Sequence, residues 1–226
     1  MERVADGVHR VAQGYVNAYL VDGDEGVVIV DTGLPRRHGV IESALAGIGR
    51  APTDVVAILL THAHADHTGG AARLAASTGA PVIASTRDAP AVRGDEPVPP
   101  PPIMDGWLRF LARLVPKAEP ATVDHAVDET HRTGLPGDLT VLETPGHTPG
   151  HISYLLDRAG GILFVGDAAV AKDGAVGRGF FNRATPAWRG SIAHLAEHDF
   201  ETALFGHSGP IESAASVAFT RYAASI

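Results

Sequence analysis

The chain has no cysteine. That excludes a disulfide frame, a thiolate nucleophile and a cysteine metal site, so any metal must be held by imidazole and carboxylate. Basic charge is also scarce, with 18 Lys and Arg against 26 Asp and Glu, a net charge of -8 and a pI near 5.8. No basic run occurs anywhere, whereas affinity for a phosphate backbone depends on clustered cations. No nucleic-acid partner is expected. Apolar runs are short, none approaching a membrane span, and Glu2, Arg3 and Asp6 put charge where a secretory signal would be apolar. The expectation is a cytoplasmic protein without stable membrane association. What the chain does have is 45% hydrophobic residues over 226 positions, enough for one large core, so residues 1–226 are read as a single domain. It also has 12 histidines.

Val8 to Val11, Asn17 to Val21 and Gly26 to Val30 mix β-branched and apolar residues between Gly and Asp turn signals and read as strands, the last running into Asp31-Thr32-Gly33. Pro35 to Ile48 carries apolar residues at helical spacing behind a proline suited to a first turn, which predicts a helix. Val55 to Leu60 is a continuous apolar run, the pattern of a strand buried on both faces. Gly70 to Ser77 reads as a helix and Pro81 to Ala84 as a strand, and the alternation argues for a layered α/β domain. Proline fixes φ and lacks the amide donor, so Glu96 to Pro102 reads as a stiff surface connector. With the apolar Trp107 to Val115 helix it forms an insertion at about 94–120. Strands follow at Leu139 to Glu143, Ile152 to Asp157 and Ile162 to Val165, then a helix from about Trp188 to His198, a strand at Thr202 to Phe205 and a closing helix from about Glu212.

The strand at Val55 to Leu60 feeds directly into Thr61-His62-Ala63-His64-Ala65-Asp66-His67. In an extended segment residues two apart project to the same side, so His62 and His64 can share one ion, while Asp66 and His67 at the following bend face elsewhere and can serve a second. The composition makes a chance H-x-H-x-D-H rare, on the order of 0.002 occurrences in a chain of this length. Three later segments repeat one arrangement, a strand end, a glycine and a metal-competent side chain: Pro145-Gly146-His147, Val165-Gly166-Asp167 and Phe205-Gly206-His207. Loops at strand ends are where α/β sheets place their sites.

Taken together, the Asp31 turn, Thr61 to Gly70, Thr144 to His151, Gly166-Asp167 and Gly206-His207 resemble the metallo-β-lactamase superfamily, in that family's order and over nearly the whole chain. The resemblance implies a four-layer αββα sandwich with a short helical cap insertion. It further implies a first metal on His62, His64 and His147, a second on Asp66, His67 and His207, and Asp167 bridging both. Zinc suits this donor set best, and iron and manganese accept it. Two divalent ions acidify a shared water, which is held as hydroxide and attacks an ester, thioester or lactone carbonyl. Asp66 and Asp167 are then the carboxylates closest to the chemistry. Asp31 resembles the family's acid that holds a ligating imidazole in its tautomer, against a plain role as a turn aspartate. His151 is expected to back the ligands or touch substrate, against a plain role as a polar strand residue.

Other signals are weaker. His9, His38, His125 and His131 read as ordinary hydrogen-bonded histidines. His194-Leu195-Ala196-Glu197-His198 fits an inverted zinc-protease signature, but a charged helix face explains it more simply. Gly177-Arg178-Gly179-Phe180-Phe181 after the Gly-Asp element is faintly similar to glyoxalase II, without that enzyme's C-terminal extension and its basic glutathione contacts. Arg178 and Phe180, with Trp107 and Phe110 of the insertion, are therefore expected substrate contacts for a small acyl compound, the insertion acting as a lid. Alternatively the Trp107 to Val115 helix packs on the core or on a second copy of the chain in a homodimer. Two rival functions are a mononuclear iron persulfide dioxygenase of the same fold and a non-catalytic metal-binding interaction module.

Overall fold

The computed structural model describes residues 1–102, 116–130, 138–179 and 181–226. Four strands open the chain: β1 (Glu2–Ala5), β2 (Val8–Gln13), β3 (Val16–Gly23) and β4 (Gly26–Val30), paired antiparallel in sequence order. Parallel strands β5 (Val55–Leu59), β6 (Val82–Ser85) and β7 (His125–Val127) extend them into a seven-stranded sheet. The second sheet holds β8 (Leu139–Glu143), β9 (Ile152–Leu156), β10 (Ile162–Gly166) and β13 (Thr202–Phe205) in the order β13-β10-β9-β8, with β13 parallel to β10. A two-stranded ribbon, β11 (Val170–Lys172) and β12 (Ala175–Gly177), stands apart.

Side-chain alternation sorts the core into three strata. Tyr19, Val28, Leu59, Tyr154, Phe164 and Leu204 meet between the sheets. Their neighbours Leu20, Ile29 and Ile58 point the other way, onto Ile41 and Leu45 of α1 (His38–Gly47) and Leu74 of α3 (Ala71–Thr78). On the far face Leu163, Val165 and Phe205 pack against Trp188 and Ile192 of α5 (Pro186–Leu195) and Phe219 of α6 (Ala215–Ala223). The architecture is the αββα sandwich expected from the sequence. No helix among the described residues is long and apolar enough to cross a membrane.

Several local expectations change. Helix α1 begins at His38, three residues after Pro35, because Arg36 is left-handed at φ 63°. The turn before it is occupied otherwise: Thr32 N–H donates to His67 O at 2.7 Å and Gly69 N–H to Gly33 O at 3.0 Å, clamping the histidine loop. Helix α5 begins at Pro186, where Thr185 caps Trp188 N–H, and it ends at Leu195, short of His198. The closing helix starts at Ala215. Strands β1, β7, β11 and β12 and the short helix α4 (Ala89–Arg93) were not expected; each is three to five residues, too short to show a period. The Trp107 to Val115 helix, Phe110, His131 and Phe180 lie outside the described residues.

Candidate metal centre

All seven residues singled out as ligands sit at one end of the sandwich, on loops leaving β5, β8, β10 and β13. His62 and His64 lie just past the end of β5, His64 with extended backbone, and Asp66 and His67 follow on the single helical turn α2 (Ala65–Thr68). Two histidine groups result. His64 Nδ1 is 3.1 Å from His62 Nε2 and 2.9 Å from His147 Nε2. His207 Nε2 is 3.3 Å from His67 Nε2 and 3.5 Å from Asp66 Oδ2. Asp167 stands between them, its Oδ2 3.3 Å from His147 Nε2 and 3.0 Å from His207 Nε2, its Oδ1 3.4 Å from His67 Nε2.

The outward nitrogen of every imidazole is tied to the protein. His62 Nδ1 meets Thr61 Oγ1 at 3.0 Å, His64 Nε2 meets Pro99 O at 2.8 Å, and His67 Nδ1 meets Asp31 Oδ2 at 2.8 Å. His147 Nδ1 meets Asn182 Oδ1 at 2.7 Å and His207 Nδ1 meets Tyr15 O at 2.8 Å. For the four rings whose outer partner is a carbonyl or carboxylate oxygen, the protein can only accept, so the outward nitrogen carries a proton; on His64 and His147, which burial keeps neutral, the inward one keeps its lone pair.

Electrostatics divide the two groups. Burial, reinforced by neighbouring histidines, holds His62 well below the usual imidazole range; burial and His147 hold His64 at about 4. Burial also lowers His147, against the pull of Asp167. These rings are neutral at pH 7, the form a metal requires. His67 is different: burial opposes its charging, but Asp167, Asp31 and Asp66 raise it to about 10. The second group therefore favours positive charge at His67 Nε2.

Metal fits these donors. Asp167 Oδ1 is buried and accepts no hydrogen bond, which is costly for a carboxylate oxygen unless a cation faces it. Close packing keeps the space around it open: a Cβ on Gly206 would fall 2.2 Å from Asp167 Oδ1 and 2.8 Å from His67 Cε1. Glycine is required there.

His151 does not offer a nitrogen to the centre. Its Nδ1 lies 2.8 Å from Thr144 Oγ1 and its Nε2 accepts from Asp167 N–H at 2.9 Å, fixing the loop that carries Asp167. Asp31 takes its place through hydrogen bonds from Thr61 N–H and from His67. Arg178 is exposed and lies near enough to Tyr222 of α6 for its charge to offset part of the rise that burial gives the phenol. His194 pairs with Glu129 at the surface of α5, in keeping with a charged helix face.

Some supports were missed. Asn182 holds His147 and donates to Asp167 O at 2.6 Å. Buried Asp88 accepts from Ala63 N–H, Thr148 Oγ1 and Gly150 N–H, binding two ligand loops together. Asn17 donates to Phe205 O and Ser208 O, and Tyr19 Oη to Phe205 O, pinning the His207 loop on β3. An asparagine inside an apolar strand run was the one available signal; Asn182 and Asp88 lie in stretches with no pattern.

Comparison with known proteins places the fold and the site in one context. The family described as Metallo-beta-lactamase superfamily matches residues 11–207. A Bacillus subtilis protein designated "Probable metallo-hydrolase YflN" is 32% identical over 183 residues, covering 75% of this chain and 66% of that protein. A hydroxyacylglutathione hydrolase of Halorhodospira halophila is 34% identical over 162 residues, covering 70% of this chain and 49% of the hydrolase. The chain thus spans about half to two thirds of the length of these relatives. Among solved structures, BJP-1, a subclass B3 metallo-beta-lactamase of Bradyrhizobium japonicum, superposes with a TM-score of 0.71 at 27% identity, over 99% of this chain and 89% of that one.

Proposed function

The chain belongs to the metallo-β-lactamase superfamily, and on that basis we propose that it is a dinuclear metal-dependent hydrolase of an ester, thioester or lactone. The observation that carries the reading is the pairing of each imidazole: one nitrogen bonded outward to the protein, the other converging on Asp167 and its neighbours. His62, His64 and His147 would hold one ion, Asp66, His67 and His207 the other, and Asp167 would touch both, zinc being the first choice. When bound, the pair supplies an acidified water and polarises the acyl oxygen.

The residues do the rest. Asp66, only partly buried, lies at the open side next to His207, within reach of the field of the Tyr15 phenol, whose pKa burial and Asp66 together raise. It takes a proton from the attacking water and returns it to the departing oxygen or sulfur as the acyl bond breaks. Asp31, Asn182 and Thr61 keep the imidazoles turned so that none rotates its proton inward. The inner core shared by both sheets supports reading residues 1–226 as one domain around this centre. The hydroxyacylglutathione hydrolase relative makes a thioester of a small hydroxy acid the first substrate to try.

The test is elemental analysis of protein purified without added metal, followed by assay of thioesters, lactones, aryl esters and phosphodiesters before and after chelation. About two zincs per chain with chelator-sensitive acyl hydrolysis is the expected result. One iron per chain, with oxygen uptake on a persulfide, would replace the reading by a dioxygenase; metal without any turnover would leave a binding module.

A further inference from the structure

Three of the five outer partners of the imidazoles, Thr61, Asp31 and Tyr15, belong to loops next to sandwich strands, and Asn182 lies just ahead of α5, which packs on the sandwich. The fifth lies elsewhere. His64 Nε2 donates to the carbonyl of Pro99, in the middle of Glu96-Pro97-Val98-Pro99-Pro100-Pro101-Pro102, a segment without helix or strand. His64 itself is only 8% exposed, whereas Val98 next to its acceptor is 44% exposed. Among the described residues the connector is thus a surface segment that meets a buried ligand at the Pro99 oxygen.

Local chemistry explains why that oxygen is well aimed. Pro99 has φ fixed by its own ring, and Pro100 bars it from the helical region and holds ψ extended. The peptide plane that carries Pro99 O is therefore oriented before any contact forms.

We propose that the proline run is a positioning element of the metal centre: Pro99 O, aimed by Pro100, holds His64 with its proton on Nε2 and its Nδ1 lone pair turned to His62 and His147. This rests on the reading of His64 as a ligand. Its consequence is that affinity for the ion of the three-histidine group depends on the stiffness of a surface connector, while affinity at Asp66, His67 and His207 does not. By reciprocity, loading that ion orders the connector beside the mouth of the site.

The experiment compares the full chain with Pro99→Gly/Pro100→Gly, which keeps the carbonyl but frees its direction, with Pro100→Ala as a milder step and Val98→Ala as a control. Zinc is titrated against a chromophoric chelator, and ring-nitrogen NMR of labelled histidine assigns each binding step to His64 or to His67. The expected result is a loss of ~10-fold or more at the His64 step, within the range typical of outer hydrogen-bond partners. The His67 step and the Val98→Ala protein stay unchanged, Pro100→Ala falls between, and the slowly exchanging His64 Nε2–H signal of the loaded protein disappears in the double variant. Unchanged affinity at both steps, or an equal loss at both, overturns the proposal while leaving the ligand reading intact. Failure of the unaltered chain to bind zinc through His64 overturns both.

Discussion

An imidazole has two nitrogens, and in this centre the fold makes use of both. The outer partners are small contacts with large leverage, since a ring that flips turns a carbon to the ion and one in the other tautomer turns its proton there. Asn182→Ala removes the acceptor for His147 Nδ1 and a donor to Asp167 O at once. Metal affinity at the three-histidine group is expected to fall by ~10–100-fold, read by chelator competition, and the buried groups left unpaired should cost the metal-free chain about 1–3 kcal/mol in denaturant titration. Gly206→Ala is a steric test: its Cβ would meet Asp167 Oδ1 at 2.2 Å. The bound-metal count should drop below two per chain and hydrolysis be lost; full loading would show that Asp167 does not stand between the ions.

At the scale of elements, the ligand loops are held to one another more than to the helices that flank them. Asp88, just before α4, joins Ala63 in the loop after β5 to Thr148 and Gly150 in the loop after β8, and burial pushes its carboxyl upward although these hydrogen bonds draw it back. Asp88→Ala leaves buried amide donors unpaired, and a loss of about 2–4 kcal/mol in denaturant titration is expected. Trp188 of α5 is 1% exposed, donates Nε1–H to Ala168 O at 2.8 Å and underlies Gly146, whose Cβ would lie 2.8 Å from Trp188 Cα. Trp188→Ala should cost about 3–5 kcal/mol by the same measurement, and zinc should return part of it if the His147 loop still forms.

For the whole molecule the concentration of buried histidine sets a pH profile. His151 is held at about 3 by burial and then by His147, His64 at about 4, and His62 and His147 are also lowered. The unfolded chain protonates these groups near 6.5 while the folded chain resists, so their contribution is fully present above 6.5 and is lost as pH falls toward 3. His67 runs the other way: raised to about 10, it stabilises below 6.5 and its contribution fades as pH climbs through 10. Chelated protein should therefore show maximal stability near neutral pH and a steep acid limb in urea titrations, and His151→Gln should flatten that limb. A limb of equal slope in the variant would mean that His151 takes its proton in the fold.

The one-dimensional order already contained the core and most of the site. Buried strands such as β5 announce themselves by continuous apolar runs, and the H-x-H-x-D-H cluster follows at once because ligands two to five residues apart are placed by local geometry alone. The Gly-Asp and Gly-His elements at strand ends were legible for a related reason: a strand end fixes where the next side chain goes. What tertiary structure decided is whatever joins distant segments. That His207 meets His67 across 140 residues, that Asp88 clips two loops, that Asn182 turns His147 and that Pro99 reaches His64 are properties of how the loops converge once the chain is folded. A lone asparagine, aspartate or backbone carbonyl carries no period and no motif, and its partner is chosen only when close packing leaves one donor beside one acceptor away from water.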